Sequence, residues 1–179
     1  MNTKQKLWRT LSAILIVGVA SQFFFGALSQ LFLWKERVGA RIKLPVARAL
    51  WDSKEISHYK FDVEGGNSMQ CFIWWNVEVK DGNVIQAKLI DPEESLWLPP
   101  DTAYLDDPFL CNSRNYTMPI LFDILEKSID YVNSVSFDPT YGFISRAGFG
   151  NYTWRGIFLG RIADCCGGFT ISNFQILDK

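Results

Sequence analysis

The feature that most constrains this chain is a stretch of 25 residues, 10–34, that contains no charged side chain. Its apolar part reads LSAILIVGVASQFFFGALSQLFL. At roughly 1.5 Å per residue, such a helix measures about 37 Å, which exceeds the ~30 Å hydrocarbon thickness of a bilayer. We therefore expect an uncleaved transmembrane anchor over 10–34, with Trp8 and Trp34 as interface anchors at its two ends.

Two other interpretations fit a long apolar stretch near an N-terminus. A cleaved signal peptide usually has 7–15 apolar residues before a small-x-small cleavage site. This stretch is longer, and the nearest such site is Val38-Gly39-Ala40. The other alternative is a helix buried in a soluble core. Length and the lack of charge favour the anchor.

Charge is distributed unevenly along the chain. Residues 1–48 carry eight basic side chains and one acidic one, whereas residues 49–179 carry ten basic and eighteen acidic ones. An acidic folded part matches the phosphates of nucleic acid poorly, so we expect no nucleic-acid partner. Basic residues beside an apolar stretch indicate a bilayer, with Lys35 and Arg37 as further interface anchors.

The side of the membrane follows less directly from the charges. Three basic residues precede the span and five follow it within 35–48, and this count alone would hold the domain in the cytoplasm. However, a short basic N-terminus ahead of one early span is typical of a signal-anchor, and the later basic residues could face anionic lipid on the outer surface. We expect a single-pass protein whose domain is extracytoplasmic.

The chain divides into a short basic N-terminus at 1–9, the anchor at 10–34, a basic juxtamembrane linker at 35–44 and a domain at 45–179. Hydrophobic residues make up 48% of the sequence, which is enough to bury a core. Pro45 is placed where a helix can begin, because the missing N–H of proline does no harm in a first turn, and we expect a short helix over 45–56.

The spacing of apolar residues predicts the elements that follow. HYKFDVE, CFIWWNVEVK and VIQAKLI are predicted to be strands; in the second, Trp74 lies on the apolar set and a bulge is expected at Trp75-Asn76. Asp81-Gly82 suits a tight hairpin turn, and Thr117 is predicted to cap a helix. With two or three later strands, the expected fold is α+β. It has one N-terminal transmembrane helix, then an antiparallel sheet of about five or six strands with two helices on one face.

The run FDPTYGF at 137–143 raises the question of whether Asp138 is a working carboxylate. Asp-Pro opens turns because the Asp side chain can accept hydrogen bonds from the backbone ahead, while proline restricts φ. Gly142 then supplies the conformation that the exit needs. We therefore predict that Asp138 forms a turn rather than a catalytic site.

Metal and cofactor chemistry has little support in the sequence. The four cysteines, Cys71, Cys111, Cys165 and Cys166, include no C-x-x-C pair, and His58 is the only histidine, so we expect no zinc site and no cofactor. Disulfides, free thiols and small buried residues stay open as alternatives for the cysteines. Residues 91–113 hold six acids but lack the spacing of a calcium loop.

An aromatic stretch at 149–158 is the candidate interaction surface. Phe149, Tyr152, Trp154 and Phe158 are interleaved with Arg155. Exposed side chains of these types are common in binding surfaces and at lipid headgroups. The alternative is a hairpin whose aromatic side chains complete the core.

Several motifs occur in an order that resembles a known family. They are Trp51, ISHYKF at 56–61, Cys71-Phe72, VEVKDGNV at 77–84, MPILFDIL at 118–125, FDPTYGF at 137–143 and FTISNF at 169–174. Together they resemble the uncharacterised bacterial family called domain of unknown function 6174. The resemblance implies an extracytoplasmic α+β domain behind a signal or lipid anchor, and it implies no activity. The chain differs from the family pattern at Ile144-Ser145, where a proline usually stands.

We expect a membrane-anchored, extracytoplasmic, non-catalytic binding or accessory domain, such as a small subunit of a membrane protein complex. Its predicted partners are the lipid bilayer and a membrane protein, and the sequence indicates no particular small-molecule ligand. The alternative is a cryptic hydrolase or metal-dependent enzyme that uses the acidic loop. The sequence contains no G-x-S-x-G, P-loop or H-E-x-x-H motif, so the enzyme is the weaker hypothesis.

Overall fold

The computed structural model describes residues 3–67, 71–90, 112–150 and 167–177, with side chains within 14–66, 74–90, 112–150 and 167–177. In chain order the described elements are α1 (Thr3–Asp52), β1 (His58–Asn67), β2 (Cys71–Lys80), β3 (Asn83–Leu89), α2 (Met118–Lys127), β4 (Val132–Phe137), β5 (Ile144–Phe149) and β6 (Gly167–Ile176). A long apolar N-terminal helix is thus followed by an antiparallel sheet and a second helix. The predicted α+β class is confirmed.

The six strands form one open sheet in the order β3-β2-β1-β6-β5-β4. Each described pair of neighbours is antiparallel. The C-terminal strand β6 therefore lies at the centre of the sheet, between β1 and β5, and joins the first three strands to the last two.

The core lies between one face of this sheet and the two helices. Tyr59, Phe61 and Val63 alternate along β1 and are buried, as the period of two in a strand requires. They form a single cluster with buried residues of α2 and of the C-terminal part of α1. The α1 residues of the cluster are Ala40, Leu44, Ala47 and Trp51.

Helix α1 is unbroken from Thr3 to Asp52, which differs from the predicted linker at 35–44 and separate helix at 45–56. At about 1.5 Å per residue its 50 residues extend about 75 Å. Pro45 lies inside the helix and costs about 3 kcal/mol there. Burying a large apolar side chain contributes about 1.5–3 kcal/mol, so burial of Leu44 and Trp51 alone offsets that cost.

Helix α2 begins as the sequence predicts. The Thr117 hydroxyl accepts a hydrogen bond from the Ile120 backbone N–H at 3.5 Å, and Pro119 lies in the first turn. The sheet supplies a second cap that the sequence does not reveal: the Tyr59 hydroxyl accepts a bond from the Met118 N–H at 3.0 Å. Two of the helix's initial N–H groups, which lack partners within the helix, are thereby satisfied.

The turn at 138–143 is confirmed and packs against α1. The Asp138 carboxylate accepts hydrogen bonds from the backbone N–H groups of Thr140 and Tyr141, at 2.8 and 2.7 Å. Gly142 has a φ of +81°, and a Cβ at this position would lie 2.3 Å from the Ala47 carbonyl oxygen. Asp138 is therefore a turn-former, and Gly142 lets the turn approach the helix backbone.

The predicted hairpin between β2 and β3 is also present. Asp81 and Gly82 both have positive φ, 50° and 75°, as a tight Asp-Gly turn requires. The expected bulge at Trp75-Asn76 was wrong, because β2 pairs with β1 in continuous register there. Trp75, rather than Trp74, consequently faces the core.

Candidate functional site

One end of the sheet lies next to the apolar segment of α1, and we call it the near end. Arg37, three residues beyond Trp34, donates a hydrogen bond from Nε to the Val132 carbonyl oxygen at 3.4 Å. Val132 begins β4 and pairs with Phe149 at the end of β5. Because the sheet is antiparallel, the near end also contains the end of β1 and the starts of β2 and β6.

The opposite end of the sheet contacts the last turns of α1, through the Gly142 turn. Helix α1 therefore runs along the strands from one end of the sheet to the other. Segments 68–70, 91–111 and 151–166 each leave the sheet from strand termini at the near end, and they lie outside the described residues. The connections at the far end are short and are described.

Within the domain, α1 is held by ion pairs as well as by apolar contacts. Arg41 pairs with Asp130. Arg48 pairs with Asp123 at 2.9 Å and with Glu126 at 3.3 Å, and its guanidinium lies 5.9 Å from the centre of the Phe122 ring. These contacts join α1 to α2 and to the short 3-10 turn after it. Residues separated by 75 or more positions meet here, and no local spacing in the sequence predicts such pairs.

A shallow cavity of about 380 Å³ lies along the same boundary between the helices. Its lining residues are Arg41, Leu44, Pro45, Arg48, Glu126 and Ile129. Both arginines already have carboxylate partners, so the cavity offers no excess positive charge to an anion. Its open, partly apolar lining does not resemble a catalytic cleft.

The predicted interface anchors have different environments. Trp34 is 63% exposed and Lys35 is also exposed, as expected for side chains at a membrane surface. Arg37 is half-buried and hydrogen-bonded to the domain. The side chain of Trp8 lies outside the described residues. Whether these residues contact lipid stays a prediction.

The candidate interaction surface lies largely outside the described residues. Phe149 ends β5 and is buried in the core, so it does not contribute to an exposed patch. Tyr152, Trp154, Arg155 and Phe158 are not described, and their exposure stays a prediction. What the structure does provide is the location of their flanks. Gly150, whose N–H bonds to the Tyr131 carbonyl at 2.8 Å, and Gly167 both lie at the near end.

The face of the sheet that points away from α1 and α2 carries a polar network. His58 Nε2 lies 2.7 Å from Glu78 Oε1. On the same face the Asp62 carboxylate accepts a hydrogen bond from Asn76 Nδ2 at 2.6 Å and another from Asn173 Nδ2 at 2.7 Å. Asn173 has a φ of +52°, which accompanies the register shift between β1 and β6. This arrangement places His58 on the outer face, as alternation along β1 predicts, and it satisfies Asp62 without an added ligand.

The described part of the chain contains no cluster of side chains suited to metal binding or to nucleophilic catalysis. No group of three His, Cys, Asp or Glu side chains there could hold a metal ion. The four cysteine side chains and nearly all of the acidic loop at 91–113 fall outside the described residues, so the metal-dependent alternative is untested.

Two buried tyrosines are neutral parts of the core. Burial raises the pKa of Tyr59 from 10.0 to about 12, against the opposing effect of its bond from the Met118 N–H. Burial also raises the pKa of Tyr116. Their rings pack on other aromatic side chains, with Trp51 5.2 Å from Tyr59 and Trp75 5.9 Å from Tyr116 between ring centres. Neither hydroxyl is placed to exchange protons near neutral pH.

Residues 14–34 differ from the packed domain in the exposure of their side chains. Their side chains are exposed almost throughout, including large apolar ones on every side of the helix. By length and composition, α1 is the one described helix that could cross a membrane. Two of its polar side chains are satisfied within the helix, since the Ser21 and Ser29 hydroxyls bond the Gly18 and Phe25 carbonyls at 2.8 and 2.9 Å.

Comparison with known proteins gives a family without an assigned activity. No curated protein and no solved structure matches the chain significantly. One family profile matches residues 43–153, from the last turns of α1 through β5 and just beyond it. This range covers more than half of the chain and excludes the apolar segment. The chain therefore belongs to the family of unknown function DUF6174.

Proposed function

We propose that this protein is a membrane-anchored, non-catalytic binding or accessory domain that α1 holds directly against the bilayer. The observation that carries the proposal is the continuity of α1, which is the apolar segment at one end and part of the domain core at the other. An anchor joined by a flexible linker would let the domain rotate freely. A continuous helix instead keeps the near end of the sheet towards the membrane.

Membrane insertion is supported by the surface of residues 14–34. Leu15, Phe25 and Leu31 are more than half exposed, and they point in different directions around the helix. An apolar surface of this extent is costly in water, and monomeric soluble proteins rarely expose one. Hydrocarbon would cover it while the helix satisfies its own backbone hydrogen bonds.

The continuity of α1 also argues against a cleaved signal peptide. The nearest small-x-small site, Val38-Gly39-Ala40, lies inside the helix. Cleavage there would remove the Arg37 contact with Val132 and would separate Ala40, which is buried in the core, from the rest of the domain. The chain therefore has a structural reason to keep its N-terminal helix.

We place the domain on the extracytoplasmic side. Arg37, Arg41 and Arg48 all contact the domain, so their presence after the span has a structural explanation that does not require a cytoplasmic location. Lys35 and Lys43 are then the basic residues after the span without such a role among the described contacts, against three basic residues before it. This balance favours a cytoplasmic N-terminus.

The binding surface in this proposal includes Tyr152, Trp154, Arg155 and Phe158. The residues that flank them lie at the near end, next to Val132 and Arg37. A segment that starts and finishes there is within reach of lipid headgroups or of a neighbouring membrane protein. Aromatic and arginine side chains suit both environments.

Membrane integration and orientation can be tested with one set of labelled variants. In a protein whose four cysteines are replaced by serine, Thr140→Cys places a thiol on the exposed far turn. We expect the protein to resist carbonate extraction and Thr140→Cys to react with a membrane-impermeant maleimide in intact cells. Asn2→Cys, the matched control, should react only after permeabilisation. Release by carbonate would contradict the anchor, and the reverse labelling pattern would contradict the orientation.

The binding surface needs a separate experiment. Trp154→Ala combined with Arg155→Ala should reduce co-purification of a membrane protein in mild detergent. The control pair Ile85→Ala and Lys88→Ala changes exposed residues of β3 and should leave co-purification unchanged. A wild-type protein that captures no partner would contradict the accessory role.

A further inference from the structure

The part of α1 beyond the apolar segment has a second face, opposite to the one that packs on the domain. Ile42 and Val46 lie on this back face, and they are 66% and 68% exposed. Ala49 is also exposed, and a Cβ added at Gly39 would meet nothing within 4 Å. We define the back face as Gly39, Ile42, Val46 and Ala49. Its side chains are all apolar, although this part of the helix lies outside the apolar segment.

The spacing of the back face continues into the apolar segment. Leu28, Phe32, Lys35, Gly39, Ile42, Val46 and Ala49 follow one another at alternating steps of four and three residues. A repeat of this kind is the seam of a left-handed coiled coil, in which each apolar side chain fits between residues of a facing helix. Lys35 is the charged member, and at the end of the apolar segment its long side chain can reach headgroups.

The arrangement of the domain favours a second copy of the same chain as the facing helix. Two copies anchored in one membrane have the same orientation and depth, so each back-face residue would meet its own counterpart. The domain packs on the side of α1 that carries Ala40, Leu44 and Ala47, so two helices can approach back to back without a collision between domains.

Charge on this part of the helix is partly compensated. Arg41 and Arg48 lie between the back face and the domain, and both are paired with acids of their own domain. Lys35 and Lys43 are exposed, and their long side chains can extend away from a facing helix towards water or headgroups. Gly39 leaves space for close contact of the two backbones near the membrane surface.

We propose that the protein forms a parallel, two-fold symmetric dimer in the membrane through the back face of α1, continued by Leu28 and Phe32. This inference rests on the proposed membrane insertion of α1. It adds that the near ends of two domains, together with any partner they bind, are presented as a pair on opposite sides of a central helix pair.

Cysteine cross-linking in native membranes tests the geometry. In the full-length protein with its four cysteines replaced by serine, Val46→Cys should give a disulfide-linked dimer on mild oxidation. Asp52→Cys is the matched control, because it is exposed on the same helix but about 120° away from Val46. It should cross-link at least tenfold less. Equal cross-linking of the two variants would overturn the proposed face.

A second variant tests the same face without cysteines. Ile42→Glu should convert the dimer to a monomer, measured as mass by light scattering in detergent, with an unchanged urea midpoint because Ile42 is exposed. Ile85→Glu, which changes a 55% exposed residue on β3, should stay dimeric. A monomeric wild type that resists carbonate extraction would overturn the dimer but leave the anchor intact. If Ile42→Glu instead released a different protein, and not a second copy of this chain, the proposed dimer would also be overturned.

Discussion

In α1, residues 14–34 expose apolar side chains around the whole helix, whereas residues 35–52 bury one stripe in the domain. Arg41 and Arg48 of the second half also pair with acids of α2 and the turn after it. The two halves share a continuous backbone, but the interactions that stabilise them are different. In the proposed anchor the first half is stabilised by the hydrocarbon of the bilayer, whereas the second half is stabilised by side chains far away in the sequence. A helix therefore need not end where its environment changes.

The largest expected effect separates the tryptophans of the two halves. Trp51 is 5% exposed and packs on Tyr59 and Phe174, so Trp51→Ala should lower the free energy of unfolding by about 3–5 kcal/mol. Trp34→Ala removes an exposed ring and should change it by less than about 0.5 kcal/mol. Urea unfolding of the full-length protein in micelles measures both. Similar losses for the two variants would contradict the packing of Trp51 in the core and the exposure of Trp34.

The next effect concerns the contact between the far turn and the second half of α1. Gly142→Ala combines a positive φ with a Cβ placed 2.3 Å from the Ala47 oxygen, and should cost about 3 kcal/mol or more. Gly82→Ala has a similar φ but open space around the Cβ, and should cost only about 1 kcal/mol. Equal urea midpoints for the two variants would show that the turn does not press on α1.

High pH should weaken the second half of α1 and leave the first untouched, because residues 10–34 contain no titratable side chain. The pKa of Tyr59, which packs on Trp51, is raised by burial to about 12, whereas an unfolded tyrosine ionises near 10. Stability is therefore fully present below pH 10 and is lost as the pH rises to about 12, by roughly 2–3 kcal/mol.

Urea unfolding at several alkaline pH values measures this dependence. Tyr59→Phe should make it shallower, with the remaining slope due to Tyr116, whose pKa is also raised by burial; this variant also loses the hydrogen bond from Met118. A slope that is the same with and without the Tyr59 hydroxyl would contradict the assignment to this group.

The smallest expected effect comes from the ion pairs. Arg48→Ala removes two carboxylate partners and a contact with the Phe122 ring, all partly exposed, and should cost about 1 kcal/mol. The loss should shrink in high salt. Lys43→Ala, an exposed change one turn away on the same helix, should cost almost nothing. If both variants had the same small effect, the ion pairs of Arg48 would not contribute measurably to holding the second half of α1 on the domain.

The structure can be predicted from the sequence where a few neighbouring residues determine it. Asp81-Gly82, Thr117 and Asp138 each act through backbone groups within three positions of themselves, so their roles could be predicted. Along β1 apolar residues likewise alternate with polar ones, and the apolar set is the buried one. These are local effects, and local residue types are sufficient to predict them.

The rest of the fold depends on contacts that are distant in sequence. Pro45 was expected to begin a helix, but the buried stripe around it keeps α1 helical on both sides. Trp75, rather than Trp74, faces the core because the register with β1 decides which face each residue occupies. The partners of Arg41 and Arg48 belong to α2 and the turn after it, so these arginines looked like lipid-facing charges in the sequence alone.

The proposed attachment of the domain to the bilayer requires α1 to be one helix through the boundary between its halves. Hydrogen exchange of the amides from Lys35 to Leu44, measured on the full-length protein in lipid nanodiscs, tests this most directly. We predict slow exchange along this segment, comparable to that of α2, because each amide is bonded within the helix and one face is packed on the domain. Rapid exchange throughout 35–44 would show a flexible linker and would contradict a domain held in fixed orientation against the bilayer.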